Sequence, residues 1–538
     1  MADTMIPFVL PSLLALNSMW GGGAPTVSLD YGIFQGSSSG NISMFLGVPF
    51  SQPVTRFELP KPPVALEGVQ DATVLGPACP QQEQAIKMPI KPHDFISEDC
   101  LTLNILKPAV ADANSKLPVF VYIHSGGFEI GNNEEGYTRA RPLLDRGLAT
   151  DQPFVFVAPN YRLSAFGFLA GKEAVEAGIT NLGLRDQIFA LEWVQKNIAA
   201  FGGDPQRVVL GGVSAGAIST ALLTLNNKLF DEGTLFRGAF LSSGSIVTTS
   251  TVLDGQSDYD FLLGANNCTD AADTLECLKR VPFADFMRTV NRTPNLFSVF
   301  QSQDDVEAEG LYAKIPIVAG VCDDEGTLFT LPLKNITTNK QFEEYISSNY
   351  LPNATPQQIA KISALYPDDP SQGSPFGTGQ LNIITPQFKR LAAFQGDHTF
   401  AGARRFFLQG SAERRMWSWV SKRNKTRPMF GAGHASDFSI WLPKDEDAVP
   451  GRETFASDAL VNFINTLDPN RPAASAFNLD DSVIFWPAWD VADPPSLLML
   501  SDDAEEGVLH VGKDDFRTEA IAYLYALLLE DAERREKR

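Results

Sequence analysis

Ser214 has the surroundings most plainly arranged for chemistry. It sits in Gly212-Val213-Ser214-Ala215-Gly216, within the stretch VVLGGVSAGAISTALLTL (208–225). An apolar run precedes the serine and an apolar, helix-forming run follows it, so the serine falls on a sharp strand-to-helix turn, a nucleophile elbow. Glycines at 212 and 216 remove Cβ atoms that such a turn would bring into collision. A hydroxyl placed there stands at a helix N-terminus, where free N–H groups and the helix dipole favour developing negative charge. That is the position of a nucleophile for acyl transfer. The plainer alternative is a tight turn carrying a bystander serine.

Acyl transfer needs N–H donors aimed at the tetrahedral oxygen. The N–H of Ala215, next after the serine, is one candidate. Gly126 and Gly127 in VYIHSGGFEIG (121–131) are the others, because a Gly-rich loop after a strand lets the backbone approach a substrate closely. The serine also needs a base, and the chain has 5 histidines. His93 lies in a polar loop, His124 in the Gly-rich segment, His398 at the start of a helix-like stretch and His510 in LHVGK near the end. His434, in PMFGAGHASDF (428–438), follows a short strand and a Gly-rich turn. In the chain order nucleophile, acid, base, His434 and His510 are the positional candidates, and the turn favours His434. An acid that orients the base should follow a strand between Ser214 and His434. IPIVAGVCDDEGTLF (315–329) supplies Asp323, Asp324 and Glu325, and spacing leaves all three open.

These residues need elements to hold them. The short apolar runs Val119–Ile123, Phe154–Ala158, Val208–Leu210, Phe240–Leu241 and Ile315–Val321 read as strands buried on both faces, as in a parallel sheet covered by helices. Asp186–Ala200 carries Ile188, Leu191, Trp193–Val194 and Ile198 at helical spacing. Strands alternating with helices predict an α/β layered fold. The region 398–421, with Phe406–Leu408 and Trp417–Trp419, reads as helical, its aromatics as core. Phe516–Leu529 reads as a last helix, and Glu530 to Arg538 as a solvated, frayed tail.

The 538 residues carry a net charge of −21. Phosphate recognition needs clustered Lys and Arg, so nucleic acid is not an expected partner, and neither is anionic lipid. The excess acid reads as a soluble, self-repelling surface. Of 5 cysteines, Cys79 and Cys100 bracket one loop, Cys268 and Cys277 another, and Cys322 is left over. With no CxxC pair, no zinc site or other metal is expected. Two short-range pairs and one spare fit a secreted protein with two disulfides and a buried thiol; five free thiols in the cytosol are the alternative. Met5 to Leu16 is mostly apolar and small residues follow at Gly21–Ala24, like the apolar stretch and cleavage zone of a signal peptide, although Asp3 precedes it and no Lys or Arg does. The stretch is too short to span a membrane. Asn-x-Ser/Thr sequons stand at Asn41, Asn267, Asn291, Asn335, Asn353 and Asn424, and with the cysteine pairs they point to the extracellular space.

The chain resembles the type-B carboxylesterase/lipase family, which includes the cholinesterases and fungal extracellular esterases and lipases. The likeness runs from Ala24 to the C-terminus. It rests on FLGVPF (45–50), SEDCLTLNI (97–105), IHSGGF (123–128), NYRL (160–163), NLGLRDQ (181–187), GVSAGA (212–217), SGS (243–245), DDEGTLF (323–329), GHASD (433–437) and WPAWD (486–490). The resemblance implies an α/β-hydrolase fold, with a central, mostly parallel sheet flanked by helices and a short lid loop closed by a disulfide. It implies a removed leader, residues 1–23, and one domain, 24–538. It places the acid on Glu325, the base on His434 and the oxyanion donors on Gly126, Gly127 and Ala215. It pairs Cys79 with Cys100 and Cys268 with Cys277.

Two departures stand out. Val213 occupies a position where the family usually has Glu, and Ser125 one where it usually has Gly. The Cys79–Cys100 loop also lacks the tryptophan on which cholinesterases stack a quaternary ammonium, so choline esters are not expected substrates. Only 20 residues separate those two cysteines, and they include Lys87, Lys91, Glu98 and Asp99. A short, polar lid buries little apolar surface and makes a weak interfacial switch. Phe297, Phe300 and Val213 are the candidates for the acyl pocket. The expected protein is therefore a secreted serine carboxyl-ester hydrolase that prefers short to medium or soluble esters, uses no cofactor and has no stable membrane anchor. A monomer and a dimer are equally compatible with it. A lipase or sterol esterase for long-chain esters and a feruloyl-type esterase share the same chemistry. A non-catalytic adhesion protein on the same fold is the reading outside catalysis.

Overall fold

The run Leu117–Ile123 (LPVFVYI) shows what kind of sheet this sequence builds. Val119, Val121 and Ile123 enter one hydrophobic cluster, while Phe120 and Tyr122 enter another on the opposite face. Alternate residues of a strand point to opposite faces, so an unbroken apolar run is stable only where both faces are covered. Each such fully buried side chain contributes roughly 1.5–3 kcal/mol. The computed structural model describes residues 23–83, 95–225, 235–247, 251–293, 313–410, 414–444, 454–470, 477–479, 482–490, 494–502 and 508–536.

Among the described residues, one sheet of 11 strands organises the molecule. In chain order these are β1 (Ser37–Ser39), β2 (Ile42–Pro49), β3 (Thr102–Pro108), β4 (Leu117–Ile123), β5 (Val155–Pro159), β6 (Gly203–Val213), β7 (Gly238–Ser242), β8 (Ile317–Cys322), β9 (Met416–Ser421), β10 (Ser496–Leu500) and β11 (Leu509–Lys513). Across the sheet the order is β11-β10-β9-β8-β7-β6-β4-β5-β3-β2-β1. Neighbours from β5 to β10 run parallel. The two edges pair antiparallel, β1 to β3 against β5 on one side and β11 on the other. The five apolar runs read from sequence are the adjacent strands β5, β4, β6, β7 and β8.

Helices cover both faces. We number those used below α1 (Glu134–Ala149), α2 (Leu182–Asn197), α3 (Ala215–Leu223), α4 (Phe388–Gly396), α5 (Gly402–Gln409), α6 (Phe455–Thr466) and α7 (Thr518–Glu536). Ala140, Leu143 and Leu144 of α1 and Leu460 and Phe463 of α6 pack with Phe120, Tyr122 and Val209. Leu191 and Val194 of α2 and Ala217 and Ile218 of α3 pack with Val119, Val121 and Leu210. Phe394 of α4, Ala403 of α5 and Leu524 of α7 close a third cluster with Val321 and Val420. This is the α/β-hydrolase architecture that the motifs implied. Both disulfides are present, Cys79–Cys100 and Cys268–Cys277, and Cys322 is a buried free thiol.

Two expectations are corrected. Trp417–Trp419 do not continue a helix: α5 ends at Gln409 and the tryptophans lie on β9. Trp417 and Trp419 face the cluster of Phe240 and Trp486, while Met416 and Val420 face the other side, which is the period of a strand. Residues 530–536 are not a frayed tail, because α7 runs on to Glu536. Arg534 pairs with Glu530 at i,i+4 and donates to the Asn353 carbonyl, and the Asn353 amide donates to Asp531.

Gly320 on β8 leaves room for the Trp419 indole of β9: a Cβ there would lie 1.9 Å from Trp419 Cδ2. Gly320→Ala is therefore expected to lower stability by about 2 kcal/mol or more. Chemical denaturation checks it, and an unchanged midpoint would contradict this packing.

Candidate active site

The strand-to-helix turn at Ser214 is set by two close approaches. A Cβ on Gly216 would lie 2.1 Å from the Ile123 carbonyl oxygen, and one on Gly212 would lie 2.4 Å from the Gly216 carbonyl carbon. Glycine at both positions lets α3 start directly against the end of β4. Ser214 itself has φ 55 and ψ −122, a conformation that L residues rarely adopt. It is held there by its N–H, which donates to the Ser242 carbonyl at 2.9 Å, and by its carbonyl, which accepts from Ile218 N–H at 2.9 Å.

Two loops at the C-terminal ends of neighbouring strands meet the serine. Glu325 follows β8, and His434 lies in the long connection after β9. His434 Nε2 is 2.9 Å from Ser214 Oγ, and His434 Nδ1 is 2.5 Å from Glu325 Oε2. The other carboxylate oxygen of Glu325 accepts from Cys322 N–H at 2.6 Å, which fixes the carboxylate plane. All three groups are nearly enclosed: Ser214 is 5% exposed, and the His434 and Glu325 side chains 8% and 1%. The rings of Phe400 and Phe329 flank the imidazole at 4.7 and 5.0 Å. Phe400 is presented by a π-helical turn, Asp397–Ala401, between α4 and α5.

The three adjacent acids have three different partners. Glu325 meets the histidine. Asp324, fully buried, accepts from Ser374 Oγ, Phe376 N–H, Lys425 Nζ and Ala432 N–H at 3.0, 2.8, 2.7 and 2.8 Å. Its own N–H donates to the Ala432 carbonyl at 2.9 Å. It thus ties the histidine's loop to the loop that bears Glu325. Asp323 pairs with Lys425 at 2.6 Å and faces Arg517 at 3.7 Å. Sequence reasoning named Asp324 only as a rival acid. Its role as a tie was not visible, because its partners come from three distant segments.

The Gly-rich loop continues β4. Gly126 has φ +118 and Gly127 φ +63. Among the described residues, no protein acceptor takes the N–H groups of Gly126, Gly127 or Ala215. The loop bends back on itself, since the Gly126 carbonyl accepts from Glu129 and Ile130 N–H at 3.1 and 3.0 Å. Because Gly216 abuts Ile123 and His124, this loop and the first turn of α3 lie side by side.

The remaining sequence candidates separate. Val213 is not a pocket residue: it is buried in the cluster of Val209, Phe240 and Trp419, because it shares the face of β6 that α1 and α6 cover. Phe297, Phe300 and His93 lie outside the described residues, as do residues 1–22 of the expected leader and 84–94 of the expected lid. His124 stacks on Tyr161 at 4.2 Å, and His510 lies on edge strand β11. His398 is buried in the π turn beside Tyr350 and Phe394, and burial pushes its imidazole down to about 4. Asp437 was overlooked within GHASD. It accepts from the Trp419 and Trp441 indoles at 2.8 and 3.3 Å and from the Cys322 thiol at 3.3 Å. Burial first, then Asp437 and Glu325, hold that thiol well above its usual range. Among the sequons, Asn41, Asn267, Asn335 and Asn424 are exposed, whereas Asn291 and Asn353 are half-buried.

A serine, a histidine and a carboxylate in hydrogen-bonded sequence at the strand ends of an α/β-hydrolase sheet define a serine-hydrolase class of site. Residues 23–500 match the carboxylesterase family, and the chain belongs to that family of carboxylic ester hydrolases. It is 34% identical to a secreted triacylglycerol lipase of Gibberella zeae, over 93% of this chain and 90% of the relative. It is 33% identical to the para-nitrobenzyl esterase of Bacillus subtilis, over 63% of this chain and 70% of that one. The crystal structure of Aspergillus niger EstA superimposes with a TM-score of 0.79 at 26% identity, covering 94% of this chain and 98% of that one.

The division among the acids is open to direct measurement. Glu325→Gln should lower turnover with little change in stability, whereas Asp324→Ala should cost about 3 kcal/mol of stability, because it leaves the Phe376 and Ala432 N–H groups and the Ser374 hydroxyl without their acceptor and removes one of the two carboxylates that hold Lys425. Equal effects of the two on turnover, at unchanged stability, would contradict the division. His398 gives a pH dependence. Its pKa falls from 6.5 to about 4 on folding, so the unfolded chain takes up a proton that the folded chain refuses as pH drops through this window. Stability is full above 6.5, and up to about 3 kcal/mol is lost towards pH 4. His398→Gln should flatten that loss in urea melts at about pH 7 and about pH 4.5.

Proposed function

We propose that Ser214, His434 and Glu325 are the catalytic triad of this ester hydrolase, with Gly126, Gly127 and Ala215 as its oxyanion donors. The observation that carries this reading is the unbroken relay from Ser214 Oγ to His434 Nε2 and from His434 Nδ1 to Glu325. His434 takes the hydroxyl proton as Ser214 Oγ bonds to the ester carbonyl carbon. The carbonyl oxygen becomes an oxyanion among the three N–H groups. His434, its positive charge balanced by Glu325, gives the proton to the leaving alkoxide as the C–O bond breaks. Water then attacks the acyl-enzyme, with His434 again as base, and releases the acid and the free serine.

We infer a preference for short to medium or soluble esters, from the short and polar Cys79–Cys100 loop. The name of the Gibberella zeae relative favours a second reading, a lipase acting on long-chain esters. The apolar N-terminal stretch, the disulfides, the exposed sequons and the secreted relatives support an extracellular enzyme. No helix among the described residues is long and apolar enough to cross a membrane.

A p-nitrophenyl ester series from acetate to palmitate separates the two substrate readings: fastest turnover at butyrate or hexanoate supports the first, and at palmitate the second. Ser214→Ala should lose about 10³-fold or more in kcat, keep its fold, and no longer be labelled by a serine-directed organophosphate that labels the wild type. A variant that keeps wild-type turnover would overturn the assignment.

A further inference from the structure

We propose that Ser125 and Glu135 are a positioning pair that aims the N–H groups of Gly126 and Gly127 at the oxyanion. The proposal rests on the ester-hydrolase reading above and concerns two residues that do not touch the reacting atoms.

The problem the pair solves is conformational. Gly126 and Gly127 carry no Cβ, and each is free to adopt φ of either sign. Their N–H groups are useful only if they point one way before the substrate arrives, since donors that must reorganise during reaction stabilise the oxyanion less. A planar, trans peptide links the direction of each N–H to that of the preceding carbonyl, which points the opposite way. Holding a carbonyl therefore aims the next N–H.

The structure holds both carbonyls and the residue in front of them. The Ser125 carbonyl is 2.9 Å from His124 Nδ1; an oxygen of this kind only accepts, so Nδ1 carries the proton, and the Gly126 N–H is turned the other way. The Gly126 carbonyl accepts from Glu129 and Ile130, which turns the Gly127 N–H. The frame of reference for both is Ser125. Its N–H donates to Glu135 Oε1 at 3.1 Å and its Oγ donates to Glu135 Oε2 at 2.6 Å, so one carboxylate grips backbone and side chain together.

Glu135 is itself fixed. It lies in the first turn of α1, where a carboxylate is favoured by the helix dipole. Its Oε1 also accepts from the Tyr122 hydroxyl at 2.5 Å. Tyr122 is a buried residue of β4, and burial, then Glu135, keeps its phenol protonated as a donor. The Tyr122 ring stacks at 6.2 Å on Phe438, beside the loop of His434. The grip on Ser125 is thus anchored to the sheet and to the core cluster that holds Tyr122 and Phe438. A glycine at position 125 would keep the N–H contact and lose the hydroxyl contact, leaving three successive residues without a side-chain hold.

The test measures kcat and KM for p-nitrophenyl butyrate, and Ki for an alkyl boronic acid that forms a tetrahedral adduct. Ser125→Gly, Ser125→Ala and Glu135→Gln are each expected to lower kcat about tenfold, with KM changed by less than about twofold, and to weaken the boronate by a similar factor. Ser125→Thr, which keeps the hydroxyl, should stay within about threefold of wild type. The double variant Ser125→Ala/Glu135→Gln should be no worse than the weaker single variant, because the two residues act as one unit. Turnover and boronate affinity within about twofold of wild type, additive single effects, or a Ser125→Thr as poor as Ser125→Ala would each overturn the pair. Should a Glu135 variant fail to fold, the three Ser125 variants decide the question alone. A wild type that neither hydrolyses the ester nor reacts with an organophosphate would instead overturn the reading of the site on which the pair depends.

Discussion

The contact on which this site depends is the one between the first turn of α3 and the end of β4. It is a steric condition before it is a chemical one. Any Cβ at Gly216 would overlap the Ile123 carbonyl, so the helix can start where it does only with glycine there. The approach forces the chain to leave β6 abruptly, and Ser214 absorbs the turn at φ 55. A conformation of that kind costs of order 1–3 kcal/mol and persists only when its surroundings over-determine it. Here they do: the Ser242 carbonyl holds its N–H, and Gly244 lies so close that a Cβ would sit 2.5 Å from the Ser214 carbonyl oxygen. The same approach sets the Gly-rich loop beside Ala215. One exclusion of atoms thereby positions both Ser214, the proposed nucleophile, and the N–H groups proposed to receive the charge it would create.

The acids after β8 show how burial distributes roles among identical chemical groups. A carboxylate taken out of water must be met by donors or cations, or it is strongly destabilising. Asp324 meets four donors and becomes a tie between loops. Asp323 leans on Lys425 and Arg517. Arg517 also grips Asp397 at 2.8 Å, the first residue of the π turn that carries Phe400 to the imidazole. The acid loop, the start of α7 and the aromatic wall of the histidine are therefore one ionic assembly. Glu325 is left with one backbone N–H and the imidazole, and so it alone is placed to answer a change of charge on the histidine.

How much of this was legible in the sequence follows from how local each determinant is. The Ser214 turn is encoded within the single stretch 208–225, and its glycines and flanking apolar runs give it away. The choice among Asp323, Asp324 and Glu325 is not local: it depends on where Lys425, Ser374 and His434 lie in space, and only resemblance to relatives selected Glu325. Trp417–Trp419 read as helical because a strand buried on both faces shows no alternation of polarity. The placing of Val213 in a pocket overlooked that Val209 and Val213, four apart on a strand, share a face with the α1 side of the core. The charged end of α7 looked like solvated tail because an exposed helix and an exposed coil have the same composition. What distinguishes them is the i,i+4 pair of Glu530 and Arg534 and the grip on Asn353. Ser125 stood out as a departure, but its meaning required Glu135, ten residues on and on a different element.

The enclosure of the site bears on how the proposed relay would move a proton. Ser214, His434 and Glu325 are almost out of contact with water, and Phe329 and Phe400 stack on each other at 5.3 Å beside the imidazole. In such surroundings an imidazolium is poorly solvated, so its formation depends on the charge already waiting for it. In the proposed triad Glu325 supplies that charge, and its second oxygen is bound to Cys322 N–H, so the carboxylate would not have to turn to meet the cation. The Cys322 thiol is in turn engaged by Asp437 on the histidine's own loop. Glu325 and His434 are thus joined twice, once through their own hydrogen bond and once through the backbone and thiol of a single residue behind it. The low polarity that would otherwise oppose charge separation instead strengthens the one interaction arranged to receive it.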